Sequence, residues 1–264
     1  MKHSLSPPLI VWIRRELRVD DHLALHAASD GGRPVLPLYV VNPREWREMA
    51  PAKRAVTVDG LRELRASLRA RGGELFVRSG EPEAVIAEML PQTAGVYLTR
   101  RYEPAGVRED EALERLTVAM GKEWTTFKDR VLFEREEILT SGAQRPYTVF
   151  TPYKNAWRAR QEEIPPPLPA PRRLVVPALP PGELPEIGTE ARDGIFPTGG
   201  ERAARQAITS FFRSVLPAYH QRRDFVAEPG TSRFSHHLAT GTIGPRTLYH
   251  AFAKRASSLR GLRR

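Results

Sequence analysis

Short apolar runs alternate with amphipathic stretches through the first 127 residues, and this alternation limits the possible folds most strongly. Strands that alternate with helices form βαβ units, whose parallel sheet is covered on both faces. The sequence therefore predicts an α/β fold with a doubly wound, parallel, five-stranded sheet. The predicted strands are 9–13, 35–41, 74–77, 95–99 and 123–127. Helical spacing of apolar residues marks 53–71, 82–90 and 107–120.

A proline-rich stretch follows this region. Residues 165–185 contain nine prolines, and proline removes a backbone donor and cannot continue a helix. We therefore predict an extended interdomain connector. Beyond it, apolar residues follow only helical spacing, in 200–216 and 246–256. The predicted organisation is an α/β domain at 1–130, a connector at 131–195 that is proline-rich from 165, and an incomplete helical domain at 196–264.

Positive charge is concentrated at the end of the chain. Residues 196–264 carry 12 Lys and Arg against 3 Asp and Glu, which accounts for +9 of the net charge of +10. Such a segment favours an anionic partner, either a phosphate-bearing cofactor or nucleic acid. An arginine-rich solvated surface would give the same composition, and charge alone favours the two interpretations equally.

Several classes of protein are excluded or disfavoured by composition. The chain has no cysteine, so a disulfide framework and a thiolate metal site are excluded. No apolar run approaches the roughly 20 residues that cross a bilayer, and arginines occur too early in the chain for a signal peptide. We expect a cytoplasmic protein that does not bind a membrane.

Two charged loops follow predicted strands, where open α/β sheets bind ligands. Neither 14–21 nor 100–110 has the glycine pattern of a dinucleotide or phosphate loop. For 14–21 the residues favour an ion-paired loop in which Asp20 or Asp21 caps the next helix. Tyr102 and Glu103 are equally consistent with a partly buried ring beside a surface carboxylate and with ligand contact.

Residues 230–246, GTSRFSHHLATGTIGPR, combine small hydroxyl residues with arginines. Thr231 or Ser232 is placed to cap a following helix. A helix N-terminus with hydroxyls and an arginine also attracts an anion. Arg233, Ser235 and the upstream Tyr219 favour a diphosphate over simple capping, and so does Arg223. The histidines at 236 and 237 have no acidic neighbour in sequence, so we predict no metal site.

Four stretches give the chain a resemblance to the DNA photolyase and cryptochrome family over nearly its full length. The stretch RYEP alone is weak evidence for this family. The first and last stretches, which flank a proline-rich connector, are highly specific for it. The stretches are LIVWIRRELRVDDHLAL (9–25), RYEP (101–104), PYTVFTPYKNAW (146–157) and YHQRRDFVAEPGTSRFSHHLATGTIGPR (219–246). The resemblance implies an antenna domain followed by the start of an all-α FAD-binding domain.

The resemblance also implies cofactors and roles for particular residues. The cofactors would be FAD and an antenna pigment, either 5,10-methenyltetrahydrofolate or a deazaflavin. Glu103 falls where folate-using members contact the antenna pigment, and Arg223 matches an arginine that meets DNA phosphate. The positions that match the flavin-contacting motif are Tyr219, Thr231, Ser232, Arg233, Phe234 and Ser235.

Departures from the family pattern limit what this chain is expected to do. Glu16 replaces an aspartate, FSHHL replaces LSPYL, and IGPR replaces ISPR. The chain stops at Arg264, so we expect the amino-terminal part of a photolyase-type protein, truncated within the FAD-binding domain. Its four tryptophans all precede the proline-rich stretch at 165–185, and we predict no catalytic residue and no tryptophan relay within this chain.

Three functions remain open at this point. The first is a deoxyribodipyrimidine photolyase, a carbon-carbon lyase in which reduced FAD donates an electron to a pyrimidine dimer in DNA under light. For this function we expect the chain alone to be inactive. The second is a cryptochrome-type blue-light photoreceptor, and the third is a stand-alone antenna-pigment module. The expected partner is DNA containing pyrimidine dimers, and the expected oligomeric state is a monomer.

Overall fold

The structure, a computed structural model, describes residues 6–187 and 197–261, with side chains described through residue 256. A five-stranded parallel sheet with the order β3-β2-β1-β4-β5 forms the first part of the chain. The strands are β1 (Leu9–Ile13), β2 (Val35–Val41), β3 (Phe76–Ser79), β4 (Gly95–Thr99) and β5 (Glu123–Phe127). The predicted α/β fold with a doubly wound parallel sheet is confirmed.

The bounds of four predicted strands are confirmed, whereas β3 begins two residues later than predicted. Backbone pairing sets this boundary, because Phe76 is aligned with Leu38 of β2. The preceding Glu74 instead forms ion pairs with Arg65 at 3.3 Å and Arg69 at 2.8 Å. The apolar run alone therefore gave the existence of the strand but not its register.

Helices cover both faces of the sheet. They are α1 (Leu23–Asp30), α2 (Pro43–Glu48), α3 (Pro51–Arg69), α4 (Pro82–Met89) and α5 (Pro104–Ala119). One apolar core joins alternate strand residues to α1 and α3 through side chains such as Leu25 and Leu61. The other alternate residues pack with Ile86 of α4 and Leu113 of α5. This alternation follows from the two-residue period of a strand, whose side chains point to opposite faces.

The proline-rich connector is extended, and it packs against the sheet domain. Val77 N–H of β3 donates to Pro181 C=O at 2.6 Å, and Val35 N–H of β2 donates to Val175 C=O at 2.7 Å. Leu174 is 3% exposed and belongs to the first apolar core. These contacts supply partners for backbone groups at the β3 edge of the sheet. The connector is thus part of the folded α/β unit.

The last described part of the chain is helical. Helix α6 (Phe150–Ala159) precedes the proline-rich stretch, and α7 (Glu201–Ser210), α8 (Tyr219–Arg222), α9 (Ser235–Thr240) and α10 (Pro245–Gly261) follow it. A π-helical turn at Phe211–Val215 continues α7, so the predicted helix at 200–216 is confirmed in outline. The predicted domain boundary at 195 lies outside the described residues. No helix in 6–187 or 197–261 has the length and apolarity needed to cross a membrane.

Candidate functional site

A cavity of about 280 Å³ opens at the carboxyl edge of the sheet. It lies beside the loop that follows β1, where the strand order reverses between β1 and β4. Trp12, Tyr39 and Glu103 line it from the sheet domain, and Ala239 and Thr240 line it from α9. Burial raises the pKa of Tyr39 to about 12, so its hydroxyl stays protonated at neutral pH. Such a crevice is the usual ligand site of an open α/β sheet.

The loop after β1 is held by charged groups, as the sequence predicted. The Glu16 carboxylate accepts hydrogen bonds from Arg14 N at 3.0 Å and Arg15 N at 3.2 Å, and also from the Thr99 hydroxyl. The Arg14 guanidinium pairs with Asp110 at 2.6 Å and lies over the Trp12 ring, 4.4 Å from its centroid. Since Glu16 is 2% exposed, the longer acidic side chain is accommodated inside the loop. Several polar contacts therefore hold the loop that lines the cavity.

The predicted helix cap at Asp20 or Asp21 is wrong. His22 is the N-cap of α1, and its Nδ1 accepts from Leu25 N at 3.3 Å. Asp20 and Asp21 instead accept backbone N–H groups of the connector, from Ala170 at 3.2 Å and Leu168 at 3.1 Å. No local pattern indicates these contacts, because the partners lie about 150 residues away along the chain.

Glu103 lies between two arginines at the mouth of the cavity. Its carboxylate pairs with Arg15 at 3.0 Å and Arg130 at 3.1 Å. Burial alone would raise its pKa, but hydrogen bonds from its own N–H, Arg130 and Tyr102 N–H outweigh burial and lower the pKa to about 2. Tyr102 donates its hydroxyl to Glu134 at 2.9 Å, and burial followed by this bond raises its pKa. Glu103 is therefore ionised at neutral pH.

A buried ion pair within the sheet domain and contacts from it and its neighbours join this domain to the helical segment. Arg18 is 3% exposed and donates to both carboxylate oxygens of Asp129, each at 2.7 Å. Burial acts to lower the pKa of Arg18, but Asp129 outweighs it and the pKa rises. Arg18 also donates to Gly241 C=O at 3.1 Å, and Arg246 pairs with the Asp21 carboxylate. Asp129 and Arg246 were not predicted, and no sequence signal links residues so far apart.

The structure brings Tyr219, Arg223 and Phe234 to one aromatic cluster. Phe211 lies at its centre, 6.0 Å from the Tyr219 ring and 5.5 Å from the Phe234 ring. Phe234 is 5% exposed. The exposed Arg223 guanidinium lies 5.9 Å from the Tyr219 ring centroid. Two of the predicted flavin-motif residues therefore have their rings fixed by packing.

The polar residues of the same motif lie at the surface. Thr231, Arg233 and Ser235 are exposed, and Ser232 is half-buried. Arg233 has a φ of 52°, a left-handed conformation that costs about 1–2 kcal/mol for a residue with a Cβ. The backbone thus turns sharply in the middle of the motif.

The predicted cap at Thr231 or Ser232 is wrong. The helix α9 begins only at Ser235, and its N-cap Phe234 makes no side-chain capping bond. The chain between Gly230 and Phe234 forms a turn, so the hydroxyls of Thr231 and Ser232 are not used by the helix. The small residues correctly predicted that a helix begins here, but they placed its N-cap two to three residues too early.

The paired histidines of α9 are packed against each other. Their ring centroids are 3.9 Å apart. His237 is 2% exposed, and its Nδ1 lies 3.0 Å from the Thr242 hydroxyl. Burial, followed by repulsion from His236, lowers the pKa of His237 to about 4. Both positions therefore serve packing of α9 in this structure.

A family model described as DNA photolyase matches residues 9–172. The chain belongs to the DNA photolyase family. It is 34% identical over 259 residues to the deoxyribodipyrimidine photo-lyase of Agrobacterium fabrum. The alignment covers 93% of this chain and 53% of that protein. The match therefore extends past residue 172 into the helical segment that carries the flavin motif.

Solved photolyase-family structures share the fold. A class III photolyase from Agrobacterium tumefaciens is 33% identical with a TM-score of 0.81, over 95% of this chain and 54% of that one. A Synechocystis cryptochrome, at 24% identity and a TM-score of 0.79, shows the same fold over 97% of this chain and 57% of its own. The chain spans about half the length of the curated relatives it matches.

Proposed function

We propose that this chain is part of a deoxyribodipyrimidine photolyase-type flavoprotein, in which it holds an antenna pigment and the phosphates of FAD. Membership of the DNA photolyase family carries the proposal. In it, residues 1–130 are the antenna domain, 131–195 the connector and 196–264 part of the FAD-binding domain. No catalytic residue is assigned to this chain.

The flavin motif fits a diphosphate. The side chains of Thr231, Arg233 and Ser235 are exposed and make no hydrogen bond or ion pair with the residues that the structure describes. Hydroxyl and guanidinium donors without protein partners match the oxygens of a phosphate, which only accept hydrogen bonds. In the proposal, Arg233 neutralises the diphosphate charge, and Thr231, Ser232 and Ser235 donate to its oxygens or to the ribitol hydroxyls.

The aromatic cluster positions this motif. Phe234 is anchored against Phe211, so the residues on either side of it are held at fixed places on the surface. The Tyr219 hydroxyl has no hydrogen-bond partner among 6–187 and 197–261 and is free to donate to the cofactor. When bound, reduced FAD supplies an electron under light. The role of this chain is to bind the cofactor and to place Arg223 against a DNA phosphate.

The cavity at the sheet edge is the proposed antenna site. It is lined by the Trp12 and Tyr39 rings and by charged groups, a combination typical of small-molecule sites. The ionised Glu103 would accept hydrogen bonds from the pigment, 5,10-methenyltetrahydrofolate or a deazaflavin. For this it would exchange one of its arginine partners.

Recognition of the lesion separates this proposal from its alternatives. The test is a titration of the FAD-treated chain with duplex DNA that contains one pyrimidine dimer and with the same duplex undamaged. We expect tighter binding of the damaged duplex, and we expect Arg223→Gln to weaken it by about tenfold, the usual effect of losing a charged hydrogen bond. The exposed Arg108→Gln on α5 is the control and should bind as the unmodified chain does.

Equal affinity for the two duplexes would contradict the proposed role in repair. Bound pigment with equal affinity would favour the cryptochrome-type receptor. An antenna pigment without FAD would favour the stand-alone antenna module, a function supported by the five-stranded sheet and the cavity at its carboxyl edge.

A further inference from the structure

We propose that α9 couples the two proposed ligand sites, so that a pigment in the cavity at the sheet edge strengthens FAD binding at 231–235, and FAD strengthens pigment binding. The inference rests on the proposed function and adds a regulation that the two sites do not by themselves require. One short helix belongs to both sites. Ser235, the first residue of α9, is part of the predicted flavin motif, and Ala239 and Thr240 at its other end line the cavity.

The two ends of α9 are close together and joined by helical hydrogen bonds. Five helical steps separate Ser235 from Thr240, which corresponds to about 8 Å along the axis. Within this turn and a half, Leu238 N–H donates to Phe234 C=O at 3.0 Å, and the Thr240 hydroxyl donates to His236 C=O at 2.8 Å. A helix this short moves as one body, so a ligand that fixes one end also fixes the other.

The cavity lies between α9 and the loop after β1. Arg15 and Leu17 line it from the loop, opposite Ala239 and Thr240. The two walls touch through their backbones, because Leu17 N–H donates to Thr240 C=O at 3.1 Å and Arg15 C=O leaves no room for a Cβ on Gly241. A pigment that contacts both walls therefore binds more tightly when α9 is seated on the loop than when it is detached.

The contacts that seat α9 include few apolar side chains. Of its six residues, only His237 and Thr240 are buried, and both are polar. Arg18 adds a hydrogen bond to Gly241 C=O at 3.1 Å. Segments with few buried apolar contacts open locally at a lower free energy than the core. The seated and the detached helix are thus the two states whose populations a ligand changes.

The flavin end of α9 needs the same seated state. Phe234, the N-cap of α9, packs against Phe211 with ring centroids 5.5 Å apart. A diphosphate bound at 231–235 orders this end of the helix. The free-energy cost of ordering α9 is then met by whichever ligand binds first, so the second ligand binds more tightly. Thermodynamic linkage makes the effect equal in both directions.

Calorimetric titration of the full chain measures this coupling. FAD is titrated without pigment and then with saturating 5,10-methenyltetrahydrofolate, or with saturating 5-deazariboflavin if the folate does not bind. We expect the Kd of FAD to fall at least about fivefold, the lower end of typical coupling between sites, and the Kd of the pigment to fall by the same factor in saturating FAD. We also expect either ligand alone to slow amide hydrogen exchange at 235–240.

A variant in α9 separates coupling through this helix from other routes. Ala239→Gly removes the methyl group at the cavity wall and makes the helix more flexible, so we expect the coupling factor to fall at least about twofold. The matched control is Ala66→Gly, an exposed position of α3 that lines neither site. It should keep the coupling factor of the unmodified chain.

Several results would overturn the inference and leave the proposed function intact. These are a coupling factor of one with both ligands bound, a pigment that weakens FAD binding, an equal loss of coupling in both variants, and amide exchange at 235–240 that neither ligand slows. Failure of the chain to bind FAD, or to bind either pigment, would instead contradict the proposed function and the coupling together.

Discussion

The sheet domain and the helical segment are stabilised in different ways. In the sheet domain, β1 and most of β2 are wholly buried between two apolar cores. In the helical segment, one aromatic cluster has five buried residues, and the residues packed around it, such as Phe212 and Phe252, are only partly buried. The two apolar cores of the sheet domain therefore determine where the cavity at the sheet edge lies. The flavin motif depends more on contacts that cross to the sheet domain.

These crossing contacts are mostly polar. Three contacts fasten α9 and α10 to the loop after β1: Arg18, held by Asp129, donates to Gly241 C=O at 3.1 Å, Arg246 pairs with Asp21, and the Leu17 N–H donates to Thr240 C=O at 3.1 Å. The Glu201 carboxylate accepts from Val19 N at 3.0 Å and fastens α7 to the same loop. The loop that lines the proposed antenna cavity thus also fixes the elements next to the predicted flavin motif. One loop therefore contacts both proposed sites.

Removing the buried anion should have the largest effect on this arrangement. Asp129→Asn leaves the Arg18 charge buried without its partner, which typically costs about 3–5 kcal/mol of unfolding free energy. We expect urea unfolding to show this loss and limited proteolysis to cut first between 219 and 233. The control Asp30→Asn removes a carboxylate that is 72% exposed and pairs only with His26, and it should cost less than about 1 kcal/mol. Equal, small losses in both variants would show that the buried pair does not fasten the segment.

A close backbone approach at the end of α9 should give the next largest effect. Gly241 has a φ of 62°, and a Cβ there would lie 1.7 Å from Arg15 C=O. Gly32 has a φ of 67° with open space around it. Gly32→Ala should therefore cost only the left-handed penalty of about 1–2 kcal/mol, and Gly241→Ala should cost clearly more. Thermal unfolding measures both, and equal losses would exclude the close approach of α9 to the loop.

The buried histidine predicts a pH dependence of the helical segment. The pKa of His237 is about 4 in the folded protein and about 6.5 when unfolded. The contribution of neutral His237 to the free energy of unfolding is fully present above pH 6.5. It is lost as the pH falls toward 4, because protons then bind the unfolded chain preferentially. The full difference corresponds to roughly 3 kcal/mol. His237→Gln should flatten the stability curve between pH 6.5 and 4, whereas the exposed His220→Gln should not, and the reverse pattern would contradict the burial of His237.

A surface ion pair of the sheet domain should have the smallest effect. Arg44 and Glu48 pair at 3.3 Å on α2, with side chains 78% and 68% exposed. Exposed pairs of this kind contribute about 0.3–0.5 kcal/mol. Arg44→Gln should change unfolding free energy by no more than this, and a loss as large as that of Asp129→Asn would mean that charge, not burial, stabilises the sheet domain.

The sequence was informative where local patterns decide the structure. Four strands were predicted with correct bounds. Three of them, β1, β2 and β4, are largely buried, and a strand buried on both faces needs a continuous apolar run. The fourth, β5, is an edge strand with an exposed first residue and four partly buried ones. The short helices α2, α6 and α8 were missed. None of these three helices has a buried residue to mark its period.

The candidate site was predictable only in part. The motif at 219 and 231–235 was identified from its residues, and its roles stay predictions. The caps at Asp20, Asp21, Thr231 and Ser232 were wrong, since those residues bind distant backbone groups or face solvent. The pairing of Arg18 with Asp129 joins residues 111 positions apart, and no local pattern encodes such a contact.

Titration of the purified chain with FAD tests the central claim most directly. Flavin fluorescence and absorbance are followed for the unmodified chain, for Arg233→Gln and for the control Arg108→Gln, and any pigment released on denaturation is identified by mass. The account predicts saturable FAD binding that Arg233→Gln weakens by about tenfold and that the control leaves unchanged. Absence of FAD binding, or binding that is equally tight in Arg233→Gln, would contradict a diphosphate site at 231–235.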